Sequence, residues 1–113
     1  MNYTAFIYYK DINICKITFS ESSETDFQYV FEPIYKNIDR LTDFRGIQGI
    51  DLSLRKAKYI RKNQMPSFIF ERNPLPEKIE CQISKKINGM CLLEYLAHLN
   101  KHYWGDKLQI KDV

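Results

Sequence analysis

His98 and His102 stand four residues apart in an apolar stretch, the spacing that puts two imidazoles on one face of a helix. A zinc centre on that pair needs two more ligands, and Cys91, seven residues before His98, is the one nearby candidate. No further residue has metal-ligand spacing, so both histidines read as structural or surface groups, and no metal or other cofactor is expected. The three cysteines, Cys15, Cys81 and Cys91, form no C-x-x-C pair and signal neither a zinc knuckle nor a disulfide framework. Neither a Ser-His-Asp nor a Cys-His order has supporting context. Glu71, Glu77, Glu80 and Glu94 read as helix-surface acids. The expectation is a protein without catalytic residues.

A second group of residues suits binding rather than catalysis. Arg55, Lys56, Lys58, Arg61 and Lys62 are interleaved with Tyr59 and Ile60. Such a stretch can hold nucleic-acid phosphates with Tyr59 available to stack, meet an acidic protein surface, or simply face water. The net charge of +3 is small for a dedicated nucleic-acid binder, so direct DNA binding is not favoured over a protein partner. The charge is also uneven. Residues 1–44 hold 4 basic and 7 acidic side chains, a balance of −3, whereas residues 45–113 hold 13 and 7, a balance of +6. Trp104, beside His102-Tyr103 and Gly105, lies outside any periodic stripe. It suits either core packing or an interface, where Trp and Tyr are enriched.

The elements that must position these groups follow from period and punctuation. Tyr3–Tyr9 is rich in aromatic and β-branched residues, and Ile14–Phe19 alternates, with Ile14, Lys16 and Thr18 on one face and Cys15, Ile17 and Phe19 on the other. Lys10-Asp11-Ile12-Asn13 between them predicts an antiparallel hairpin. Phe27, Tyr29 and Phe31 give a third strand with an aromatic face, and Pro33 opens a helical turn that packs Ile34, Tyr35 and Ile38 inward. Gly46 and Gly49 mark a loop, and Ile50, Leu52 and Leu54 alternate as a short strand that would close the sheet. Arg55–Ser67 then reads as a long loop, and Ser67–Arg72 as a helical turn or a strand, the helix preferred. Pro76-Glu77 suits a helix opening, since proline loses nothing at the first helical position and an acid suits the positive helix end. Ile79, Ile83 and Ile87 form a helical stripe. Met90–His102 places Leu92, Leu93, Leu96 and Leu99 on one helix face, and Leu108 and Ile110 flank Gln109 in a last strand.

The fold class expected is therefore α+β: a small, mostly antiparallel sheet with two or three helices on one face, forming one domain over residues 1–113. Seven Phe, eight Tyr and one Trp give bulk to a single core, while four Gly and four Pro argue against a loop-dominated chain. No stretch approaches the ~20 apolar residues of a membrane span, and no basic region followed by an apolar run opens the chain. With no disulfide signature, a soluble cytoplasmic protein without a membrane partner is expected.

The order of several short motifs resembles the N-terminal subdomain of HipA-type serine/threonine kinase toxins. The hairpin Phe6–Phe19 comes first, then the Phe-x-Tyr strand Phe27-Gln28-Tyr29, then Asp51-Leu52-Ser53-Leu54. Phe68–Phe70 leads into Leu75-Pro76-Glu77, and Leu92-Leu93 precedes Gly105-Asp106-Lys107-Leu108. The match spans essentially the whole chain. It departs from the family at Cys15 and Lys16, where glycine is usual, and at Arg55, where proline commonly follows the Ser-Leu segment. The phosphate-binding loop, the catalytic Asp with its partner Asn and the metal-binding Asp motif of those kinases have no counterpart here, and phosphoryl transfer requires them. The resemblance thus implies the free-standing version, the HipS-type antitoxins of tripartite HipBST systems. It implies binding and inhibition of a separate HipA-like kinase of HipT type, with a helix-turn-helix DNA-binding HipB-type protein as third member. On that reading the partner-binding residues expected are Arg55, Lys58, Tyr59, Arg61, Lys62, Met65, Phe68 and Trp104. Arg61 or Lys62 would meet phosphate or carboxylate, and Tyr59, Met65 or Phe68 would fill apolar space.

Overall fold

Alternation of apolar and polar residues builds three long strands: β1 (Asn2–Tyr9), β2 (Ile12–Glu21) and β3 (Phe27–Pro33). The computed structural model describes residues 2–23, 25–72, 86–87, 90–99 and 107–113. After β3 come the one-turn helix α1 (Tyr35–Ile38), a 3-10 turn at Leu52–Leu54, strand β4 (Tyr59–Lys62) and helix α2 (Ser67–Glu71). A two-stranded ribbon of β5 (Lys86–Ile87) and β6 (Met90–Cys91) leads into α3 (Leu92–Leu99), and β7 (Leu108–Asp112) closes the chain. The main sheet has the order β4-β3-β2-β1-β7 and every neighbouring pair is antiparallel. With three helices among the described residues, this is the α+β architecture expected.

The inner face of the sheet carries the core. Tyr3 pairs with Phe19 and Phe19 with Tyr29; Ala5 pairs with Ile17 and Ile17 with Phe31; Ile7 pairs with Cys15 on one side and Ile110 on the other. Phe19 and Tyr29 have ring centroids 5.1 Å apart, and Phe31 meets Phe68 of α2 edge-on at 6.3 Å. Leu92, Leu93, Leu96 and Ala97 of α3 and Phe68 and Ile69 of α2 are buried in the same cluster. The expected aromatic face of β3 is therefore the face that is covered. Of the leucine stripe proposed for the late helix, Leu92, Leu93 and Leu96 are buried, and the helix begins after the β6 residues Met90 and Cys91.

Four sequence expectations are corrected. The hairpin turn is tighter than Lys10–Asn13: Tyr9 already pairs with Ile12, and Lys10 takes the left-handed conformation at φ 55°. Ile14 does not face outward. The register slips between Ile7↔Cys15 and Tyr8↔Asn13, so Ile14 is the extra residue of a β-bulge and is buried beside Cys15. The bulge has a use, because the Ile14 carbonyl accepts Ile34 N–H at 2.8 Å and the Asn13 carbonyl accepts Asn37 Nδ2 at 2.9 Å, docking α1. Ile50–Leu54 is not a strand. Asp51 Oδ1 accepts the backbone N–H of Ser53 at 3.0 Å and its hydroxyl at 2.5 Å, a local capture that competes with ladder formation. The fourth strand is instead Tyr59–Lys62, inside the expected loop. The helical stripe ending at Ile87 fails at that end, since Lys86 and Ile87 form β5; Leu75-Pro76-Glu77, Ile79, Cys81, Ile83, His102, Trp104, Gly105 and Asp106 lie outside the described residues.

Two expected outcomes test this core. Tyr29 is fully buried, and among the described residues its hydroxyl has no hydrogen-bonding partner. Tyr29→Ala should lose about 3 kcal/mol or more in urea unfolding. Tyr29→Phe should be as stable as the parent or more so, because it removes a polar atom from an apolar site without breaking a bond. Burial also pushes the thiols up, Cys15 to about 12 and Cys91 to about 11. Alkylation at pH 8 should therefore spare both in the folded protein and modify both in denaturant. A thiol held above its ordinary value favours the protonated fold, so stability is complete below about 9 and falls as pH rises from there towards the folded values.

Candidate partner-binding surface

The basic stretch is held in place by a small polar hub at the end of β3. Asp51 starts the 3-10 turn, which ends with Arg55 in the left-handed conformation at φ 53°. Tyr59 is 3 % exposed, yet its hydroxyl donates to the Asp51 carbonyl at 2.6 Å and accepts Lys56 N–H at 3.3 Å. The Tyr35 hydroxyl lies 3.2 Å from that of Tyr59 and donates to the Lys56 carbonyl at 2.6 Å. This ties α1, the turn and β4 together. Burial and the bond to Tyr59 push Tyr35 up to about 12, so its hydroxyl keeps its proton through the neutral range.

The cations divide by what they touch. Arg55 makes a two-pronged ion pair with Asp39, at 2.6 and 2.9 Å, and its guanidinium lies 4.3 Å from the centre of the Tyr35 ring. That bond holds the Asp39 carboxyl below its ordinary value. Arg61 donates to the Gly49 carbonyl at 2.8 Å and to the Ile60 carbonyl at 3.1 Å, pinning the 44–54 loop to the sheet. Lys58 shares Glu32 with Lys16, each ammonium 3.8 Å from a different carboxylate oxygen. Lys56 and Lys62 are exposed.

The expected contact residues are thus separated. Tyr59 and Phe68 are core residues of this chain, and Met65 packs half-buried against the core. Tyr59 and Phe68, expected to fill a partner's apolar space, are corrected on that ground, since each already fills this protein's own, whereas Met65 keeps part of its surface open. Arg55 and Arg61 act within the chain. Lys58 and Lys62 reach solvent from β4 and the residue before it, and Trp104 lies outside the described residues. His98 is exposed, 3.9 Å from an oxygen of Asp112. Among the described residues no cluster of three or more His, Cys, Asp or Glu could hold a metal ion. No helix among them is long and apolar enough to cross a membrane.

Sequence reasoning missed Ile60, which is 53 % exposed in the middle of a strand. The signal was available: Tyr59 and Arg61 on one side with Lys58, Ile60 and Lys62 on the other is a period-2 pattern. An open depression of about 300 Å³ beside Lys62 is lined by Ser20, Glu21, Asp26, Phe27 and Gln28 among others. No protein-family profile, curated protein or solved structure matches the chain.

Two tests follow from the hub. Tyr59→Phe should cost about 0.5–1.5 kcal/mol, since it removes the hydroxyl's bonds to the Asp51 carbonyl and Lys56 N–H. The Asp39–Arg55 pair contributes above the ordinary carboxylate value of 3.8, and its contribution drains as pH falls through the lowered folded value. Melting temperature measured from pH 6 to pH 2 should fall less steeply for Asp39→Asn than for the parent.

Proposed function

We propose that this protein is a non-catalytic antitoxin that binds a separate HipA-like serine/threonine kinase toxin and holds it inactive. The observation that carries the reading is the ordered series of motifs along the chain, from the Phe6–Phe19 hairpin to Leu108. The architecture is compatible with it, in that the hairpin, the Phe-x-Tyr strand, the Leu-Ser-Leu turn and the aromatic helix all pack into one core. Lys62 lies on an edge strand and Lys56 on the turn that leads into it, both exposed and available to another molecule. A helix-turn-helix DNA-binding protein of HipB type completes the proposed system, and the proposed setting is the bacterial cytoplasm.

The structure alters how the binding residues should be probed. Reversing Arg61 breaks its bond to the Gly49 carbonyl, so loss of binding by Arg61→Glu reports folding as well as contact. Lys56→Glu and Lys62→Glu change exposed cations and should cost within about 0.5 kcal/mol of stability. Co-expression with a HipA-like kinase toxin of HipT type should restore growth and yield a complex that copurifies. The double lysine reversal should slow formation of that complex. Toxicity that persists in the presence of the parent protein, with no complex recovered, would remove the proposal.

A further inference from the structure

All the described helices cover one side of the sheet. Alternation leaves the other side with rows read directly from the register; one through Tyr8 and Gln109 lies nearest the hairpin turn, and three more cross the rest of the sheet. The middle row runs Thr4, Thr18, Val30 and Ile60 across β1, β2, β3 and β4. One flanking row runs Lys111, Phe6, Lys16 and Glu32, with Lys58 reaching Glu32 from beyond the strand. The other runs Ser20, Gln28 and Lys62. Ile60 is one of four large apolar side chains exposed among the described residues, and it adjoins Val30, which is half-buried. Most solvent-facing strands in antiparallel sheets carry polar residues at such positions.

The edge next to Ile60 is open in a defined way. Asn63 N–H bonds to the Phe27 carbonyl, so by alternation residues 59, 61 and 63 turn their backbone groups to β3, and residues 60 and 62 turn theirs outward. The Arg61 guanidinium caps the Ile60 carbonyl at 3.1 Å, blunting the edge against strand addition. Contact is thereby directed to the face rather than to the edge.

The charges identify the kind of partner. Lys62 and Lys111 stand on strands at opposite edges of the sheet, four strand spacings or roughly 19 Å apart. Between them lies the neutral Thr-Thr-Val-Ile row, and Lys16 and Lys58 are both directed at Glu32. A single-stranded nucleic acid is tracked by a continuous basic groove with open aromatic rings. Here the Lys111 ammonium already sits 4.5 Å from the centre of the Tyr8 ring. An apolar centre ringed by separated cations is the layout of a protein interface.

We infer that the outer face of the sheet, centred on Ile60 and Val30 and bounded by Lys62 and Lys111, is the docking surface for a partner protein with an apolar centre and carboxylates at its margin. The inference rests on the reading that this chain works by binding a partner kinase, and it moves the contact from the expected Arg55–Ser67 loop to the sheet face.

The test uses the full chain and that kinase, with affinity measured by titration. Ile60→Glu should raise Kd tenfold or more. Leu54→Glu, at a site of similar exposure (58 %) on the 3-10 turn, should leave it within about twofold. Parent-like binding by Ile60→Glu, or equal loss in both variants, overturns the inference while leaving the antitoxin reading standing. Failure of the parent to bind overturns both. Should Ile60→Glu melt much lower than the parent, Lys62→Glu with Lys111→Glu decides instead: association should slow and lose salt dependence, and unchanged kinetics overturn the inference. A single-stranded oligonucleotide retained at about 50 mM salt by the parent, and released by that lysine pair, assigns the face to nucleic acid and equally overturns it.

Discussion

Side-chain alternation along Tyr59–Lys62 is the constraint on which the surface of this protein depends. A strand sends successive side chains to opposite faces, so once Tyr59 is drawn into the core, Arg61 must follow it inward and Lys58, Ile60 and Lys62 must face out. Tyr59 is drawn in by its ring, but its hydroxyl needs partners there, and Asp51 and Lys56 supply them. The 3-10 turn, the left-handed Arg55 and the one-turn helix α1 are the geometry that brings those partners within reach. Arg61 in turn meets the Gly49 carbonyl and fixes the loop over the core. Gly49 suits that place because its φ is 93° and a Cβ there would stand 3.3 Å from that of Ser67.

The charged residues follow from the same constraint. A run of five cations in eight residues looks like one electrostatic feature, yet folding separates it into three groups. Arg55 neutralises Asp39 while stacking on Tyr35 and Lys58 turns to Glu32, Arg61 serves the backbone, and Lys56 and Lys62 remain for solvent or a partner. Arginine takes the structural positions because its fork can make two directed bonds at once, whereas lysine is a flexible point charge. The uneven charge of the two halves of the chain is likewise reduced where they meet, since Asp39 and Glu32 come from the acidic half and Arg55 and Lys58 from the basic one.

A sheet covered on one side has a second side to account for. Here the bulge at Ile14 buries an extra apolar residue on the covered side and anchors α1 there. The aromatic rings of Phe19, Tyr29, Phe31 and Phe68 fill the same side. What remains outside includes the half-buried Phe6 and Tyr8 near one edge and Ile60 and Val30 near the other, and burial by a partner would relieve the exposure of Ile60 and Val30.

The sequence by itself determined the three long strands, the hairpin, the aromatic inner face and the last strand, because each rests on a local period or a turn signal. It also indicated the α+β class, since the order of strands and helices fixes the layers. Tertiary structure decided the rest. Asp51 captured Ser53 and turned an alternating segment into a 3-10 turn, and the neighbouring β3 recruited the charged Tyr59–Lys62 as a strand that its polarity concealed. The bulge at Ile14 reversed the face of one residue, which depends on cross-strand register and not on local pattern. For the same reason the individual contact residues were not legible: whether Tyr59 meets a partner or its own core depends on which hydroxyl and carbonyl groups the fold brings beside it.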